Sequence, residues 1–244
     1  MPELALATLA VLLGAFAQSA TGFGMSAVAA PALFLMMEPA EAVTALAALG
    51  VVVSLMTLFG ERRPRRILWS ELAPMLAAGL PGIVLGALLL RALPKAVLQV
   101  VVGAAVIASV GVRLAGPRGS RPRAVRRGTY AVGLVSGALT TSTNLNGPPL
   151  VAWLLMRGAA PDELRDTVTG GLLLLNVVAI PVLALLGLLR TGSVGGLVAL
   201  LVVAAIGQRL GRLAFERLDT ARYEAVLLVG LVGAGAASVA AGVY

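Results

Sequence analysis

Between Glu3 and Glu38 the chain carries no charged residue. Positions 4–37 are apolar except for one polar, glycine-bearing stretch, Gln18-Ser19-Ala20-Thr21-Gly22-Phe23-Gly24-Met25-Ser26. A continuous helix over that run would be about 51 Å long, against roughly 30 Å of bilayer hydrocarbon. The pattern therefore predicts two shorter helical pieces meeting at the polar stretch. A second charge-free run, 128–156, has its own interruption, Thr140-Thr141-Ser142-Thr143-Asn144-Leu145-Asn146-Gly147-Pro148-Pro149. Six further charge-free runs occupy 42–60, 72–90, 96–112, 167–189, 191–208 and 225–244. Each is about as long as a bilayer crossing, and each is continuously apolar rather than alternating, which predicts helices and not barrel strands. The expected fold class is an all-α polytopic membrane protein with about eight hydrophobic segments.

The two halves match by simple offsets. Pro31 falls on Pro149 (149 − 31 = 118), which joins the two interrupted segments. After a four-residue insertion, Pro39-Ala40-Glu41 falls on Pro161-Asp162-Glu163 and Ser54 on Asn176 (176 − 54 = 122). Gly82 and Gly86 then match Gly207 and Gly211 (207 − 82 = 125). Each half reads as one broken segment followed by three spans, giving a first repeat over 1–112, a basic linker over 113–127 and a second repeat over 128–244.

Charge adds orientation. Arg62, Arg63, Arg65 and Arg66 fill one loop of the first half, while its counterpart in the second half carries only Arg190. The next loop reverses the bias: Arg91 and Lys95 in the first half, against Arg209, Arg212, Arg217 and Arg222 in the second. Glu38 and Glu41 likewise stand opposite Arg157 and Arg165. Equivalent loops with opposed charge bias are expected of halves inverted in the membrane. Inversion needs an odd number of crossings per half, so each broken segment should be a re-entrant hairpin beside three transmembrane helices. The linker, with six arginines between Arg113 and Arg127 and no acid, is expected to be cytoplasmic, and both termini outside. The start, Met-Pro-Glu, lacks the positive region of a cleavable signal and reads as retained.

Composition narrows the chemistry. The chain is 59% hydrophobic and 12% charged, with mean hydropathy +0.98. The net charge of +8 lies in short loops between spans, a topological signal that argues against nucleic-acid binding. There is no cysteine and no histidine, hence no thiolate, no Cys-ligated metal and no imidazole proton shuttle. No Asp or Glu sits in the middle of a hydrophobic run, so an intramembrane enzyme would lack a nucleophile–base pair. No cofactor, metal site or catalytic residue is expected.

A helix interrupted inside a membrane frees backbone groups, and a helix N-terminus there is a seat for an anion. Helix starts are expected at Phe23-Gly24-Met25-Ser26 and, ahead of Pro148, at Asn144-Leu145-Asn146-Gly147. The candidate solute-binding residues are Gln18, Thr21, Gly22, Phe23, Gly24 and Ser26 at the first break, and Thr141, Ser142, Thr143, Asn144, Asn146 and Gly147 at the second. Asn176 is a candidate liner, as is Ser54. Arg209 either snorkels to the interface or supplies an anion's counter-charge.

Gly22-Phe23-Gly24-Met25-Ser26 followed by Pro31, the basic linker, the paired glycines and Arg165-Asp166-Thr167 leading to Asn176 resemble the sulfite exporter TauE/SafE family, over most of the chain. The family often has a further glycine where Met25-Ser26 stand here. The resemblance implies a secondary permease of a bacterial inner membrane, moving small sulfur-containing anions such as sulfite or organosulfonates by alternating access. Its partners would be the lipid bilayer, a small-molecule anion and a coupling ion, H+ or Na+; homo-oligomer formation stays open. The alternatives are a transporter or channel for another anion or a cation.

Overall fold

The computed structural model describes residues 2–60, 64–114 and 126–215. The expected last span, 225–244, and most of the 113–127 linker lie outside the described residues, as do Arg62, Arg63, Arg217 and Arg222. The described residues form helices and no strand. The long run 4–37 divides into α1 (Pro2–Thr21) and α2 (Met25–Met36). Run 128–156 divides into α6 (Arg126–Ser142) and α7 (Gly147–Met156). The uninterrupted runs become α3 (Pro39–Phe59), α4 (Trp69–Ala92), α5 (Lys95–Leu114), α8 (Pro161–Leu185) and α9 (Val194–Phe215). Four stretches, Pro39–Phe59, Trp69–Ala92, Pro161–Leu185 and Val194–Leu213, are long and apolar enough to cross a membrane. Among the described residues these four full-length helices stand beside shorter apolar ones, the coarser form of a polytopic helical membrane protein.

Both broken segments turn back. An α2 that continued the line of α1 would carry Met25 far from Gly14, but a side chain at Gly14 would meet the Met25 carbonyl. Ala7, near the start of α1, and Met36, the last residue of α2, line one cavity of about 150 Å³. In the other segment, α6 runs parallel to α4, with Gly133 on Met75 and Gly137 on Gly79. The chain then returns along α7, whose end lies beside the start of α4 through Arg157 and Glu71.

Small residues permit the closest helix contacts. Gly82 and Gly86 of α4 lie against the carbonyls of Leu134 and Ala138 of α6. Gly207 and Gly211 of α9 lie against those of Leu12 and Phe16 of α1. In lipid such packing, rather than burial from water, draws helices together. The far faces are apolar and open at helical spacing: Leu80, Val84 and Leu88 on α4, and Val198, Val202, Ile206 and Leu210 on α9. Inside, α3 packs on α8. Two apolar clusters flank that pair, one containing Leu33, Phe34, Leu46 and Leu49, the other Met75, Ile83, Leu150 and Leu154.

The loops gather at two ends of this bundle. At one, Glu38, Glu41, Lys95 and Arg190 border a cavity of about 300 Å³, and the Arg190 N–H donates to Thr44 Oγ1. At the other, the Arg66 N–H donates to Asp166 Oδ2 at 2.8 Å and the Leu68 N–H to Thr167 Oγ1 at 2.9 Å. Arg212 donates to Gly60 O, Arg65 lies over the Phe59 ring, and Glu71 accepts from both Trp153 Nε1 and Arg157. This second end is the basic one.

Candidate solute site at the paired helix breaks

At the first break α1 stops at Thr21, Gly22 takes φ 76°, and Gly24 takes φ 126° immediately before α2. Glycine is needed at both, because an L side chain is strained there. At the second, α6 stops at Ser142 and Asn144 takes φ 59°, the left-handed conformation that asparagine tolerates best after glycine. Each break thus turns on a residue of positive φ, and Gly22 and Asn144 are 122 positions apart (144 − 22 = 122). The start of α2 at Met25 and of α7 at Gly147 keeps that spacing, as do Leu12 and Leu134 under their glycines. The match of Pro31 with Pro149 is corrected accordingly. Pro31 is the seventh residue of α2 and Pro149 the third of α7, and no insertion separates the break from Pro39.

The two breaks meet. Ser26 Oγ, at the start of α2, donates to Asn144 Oδ1 at 2.8 Å. Asn144 Nδ2 donates to Asn176 Oδ1 at 2.8 Å and to Thr140 O at 3.2 Å, so this fully buried amide joins α2, α6 and α8. A Cβ on Gly147 would rest 3.4 Å from the Phe23 ring. Between them lies a cavity of about 20 Å³, bordered by Gln18, Phe23, Gly24, Ser26, Asn144, Asn146, Gly147 and Leu172 among others. That volume holds about one water. Leu172 stands near the middle of α8, which places the cavity near mid-depth of the bundle.

The polar groups here are unevenly spent. The carbonyls closing α1 are taken: Ser19 O accepts from Arg165 Nη2 at 2.6 Å and Gly22 O from Thr169 Oγ1 at 3.0 Å. The first turn of α2 has no side-chain cap, so the N–H groups of Met25, Ser26 and Ala27 face the break without one. The first turn of α7 also lacks a side-chain cap, but Pro148 and Pro149 have no N–H to give. Donor capacity is thus concentrated on α2. Among the described residues no charged side chain borders the cavity. Arg165 stands directly behind the first break, its Cγ 2.9 Å from where a Cβ on Gly22 would be.

Of the residues anticipated from sequence, Gln18, Phe23, Gly24, Ser26, Asn144, Asn146 and Gly147 come together at the cavity. Asn176 lies behind Asn144, and Gly22 shapes the turn. Thr21 is the last residue of α1. Three hydroxyls are engaged with helix carbonyls: Thr141 with Ile83 O, Ser142 with Ala138 O and Thr143 with Leu139 O. Asn146 Nδ2 donates to Thr140 Oγ1 at 3.0 Å. Arg209 is exposed on the apolar outer stripe of α9, between Ile206 and Leu210 and away from the breaks. The contribution of Arg165 and Thr169 was not anticipated; their four-residue spacing on one helix face was the available signal.

Long apolar helices, close glycine packing and buried helix breaks define a multi-pass membrane protein. A family model described as Sulfite exporter TauE/SafE matches residues 6–238, and the chain belongs to that family of membrane transporters. No curated protein and no solved structure matches it.

Proposed function

We propose that the protein is a secondary transporter that moves small sulfur-containing anions, such as sulfite or organosulfonates, across a bacterial inner membrane by alternating access. The observation that carries this reading is the meeting of the two breaks at one mid-depth cavity, with the uncapped start of α2 and Arg165 supplying positive potential and no carboxylate among the described lining residues. A cation would find no negative group among the described residues there. The solute is held by the N–H groups from Met25 to Ala27, by Ser26 and by the amides of Gln18 and Asn146. Arg165, in place of Arg209, is the background cation. A cavity of about 20 Å³ is too small for a sulfur oxyanion, so this conformation is a closed one and transport requires the hairpins to part.

Two inverted repeats supply the mechanism. Exchange of the halves turns the α4–α6 contact into α9–α1 and leaves α3–α8 unchanged, a pairing pattern that supports a two-fold relation. The grouping of loops supports inversion. The loop after α3 lies with the starts of α4 and α8, whereas the loop after α8 lies with the start of α3. A basic end that is cytoplasmic obeys the positive-inside rule.

The test is flux in proteoliposomes with radiolabelled sulfite, sulfate and a sulfonate, with and without pH and sodium gradients. Movement of sulfite or the sulfonate is expected. Transport of a cation with none of the anions would overturn the reading.

A further inference from the structure

A buried file of hydroxyls and amides links the central cavity to the basic end, and the matched path in the other half turns apolar where Thr57 and Gln208 stand. Gln18, at the cavity, donates through Nε2 to Ser54 Oγ at 3.2 Å. One turn further along α3, Thr57 Oγ1 accepts from Gln208 Nε2 of α9 at 2.7 Å. About a turn beyond, Arg212 of α9 reaches Gly60 O, where the chain is exposed. Ser54 to Gly60 covers about 9 Å of helix rise, a little under a third of the roughly 30 Å of bilayer hydrocarbon. Gln18, Ser54, Thr57 and Gln208 are 2%, 0%, 6% and 4% exposed, so the file is polar yet buried.

Two features separate it from ordinary core packing. Gln208 Oε1 is buried with no hydrogen-bond partner, an arrangement that leaves capacity for a water or a solute. Near the cavity the other half is polar as well, with Thr140 for Gln18 and Asn176 for Ser54. Beyond it the matched positions are apolar: Ala179 stands for Thr57 (179 − 57 = 122) and Ile83 for Gln208 (208 − 83 = 125). Both are fully buried in an apolar cluster. Polar side chains at membrane depth are costly and mark solute or ion paths.

We infer that the seam between α1, α3 and α9 is the route by which solute and water pass between the cavity and the basic end, with Thr57 and Gln208 lining it. Neutral groups suit a route, because they replace hydration without trapping charge. In this conformation the seam is shut, since Gly207 and Gly211 rest on α1 carbonyls. It opens when α9 shifts along α1. The inner end of the route rests on the proposed function, but its test does not require the solute to be known.

The chain has no cysteine, so an introduced one is the single thiol. Thr57→Cys, Gln208→Cys and the matched Ala179→Cys and Ile83→Cys, in liposomes, are exposed to a membrane-impermeant thiol reagent from each side. Thr57→Cys and Gln208→Cys are expected to react roughly tenfold or more faster than the two controls, from the basic side, because labelling of a buried group tracks the opening around it. Equal rates in all four, or reaction from the opposite side alone, would overturn the route. Gln208→Leu is expected to slow flux with unchanged half-saturation, and undiminished flux would also overturn it. Gel filtration monitors folding, with Gln208→Met substituted if the leucine variant aggregates. Should no anion move while the labelling pattern holds, the route stands and the solute assignment falls.

Discussion

Ser26 Oγ and Asn144 Oδ1, from opposite halves of the chain, share a hydrogen bond of 2.8 Å beside the central cavity. Ser26→Ala removes one such bond, worth about 0.5–1.5 kcal/mol. Asn144→Ala also strips Asn176 Oδ1 and Thr140 O of their donor, and each buried group left unpaired costs roughly 1–3 kcal/mol. The single variants should therefore differ in thermal stability, Asn144→Ala being the worse. The double variant should fall short of their sum, with a coupling of about 0.5 kcal/mol or more. Strict additivity in a thermal-shift series would mean that the two breaks do not communicate.

Gly22 offers a sharper test of backbone geometry. With φ 76°, and with a Cβ placed 2.8 Å from both Arg165 O and Thr169 Oγ1, Gly22→Ala combines strain with collision. A loss of about 1–3 kcal/mol is expected, together with a drop in flux. Normal stability and flux would show that the turn need not be left-handed.

Close helix packing makes a third prediction. Gly86→Val drives a side chain into the Ala138 carbonyl, and Gly211→Val does the same at Phe16. Both variants should lose their monodisperse gel-filtration peak, because backbone and not a flexible side chain must yield. Valine at the open Gly195, with nothing closer than 3.7 Å, should be tolerated.

Inversion of the halves is testable by topology. Single cysteines at Glu38 and Arg190 should react with an impermeant reagent added outside, whereas those at Arg65 and Arg157 should react only from the cytoplasmic side. A phosphatase fused to the C-terminus should be active outside. Reaction of Glu38→Cys and Arg65→Cys from the same side would refute inversion.

Much of this architecture was legible in the chain. The excess length of run 4–37 demanded a break, and Gly22 and Gly24 fell at it. The glycine pairs announced close packing, and loop charges separated the two ends. The 122-residue spacing of the two breaks was not legible, because Pro31 and Pro149 suggested an offset of 118, while the positive φ angles at Gly22 and Asn144 show only in the fold. The hydrogen-bond partners of the hydroxyls were not legible either. Thr141, Ser142 and Thr143 look identical to ligands in sequence, but a helix carbonyl within reach claims each of them. Arg165 was hidden among the mixed charges of 157–166; only the fold carries it to Ser19 O.

The central claim is that the paired breaks bind the solute, and it is tested by radiolabelled sulfite flux through Gly24→Ala and Asn146→Ala in proteoliposomes. Gly24 has φ 126° at the start of α2, and Asn146 borders the cavity from the other half. Sulfite uptake should fall in both variants, with half-saturation raised in Asn146→Ala, while both remain monodisperse. Undiminished transport with unaltered half-saturation in the two variants would contradict it.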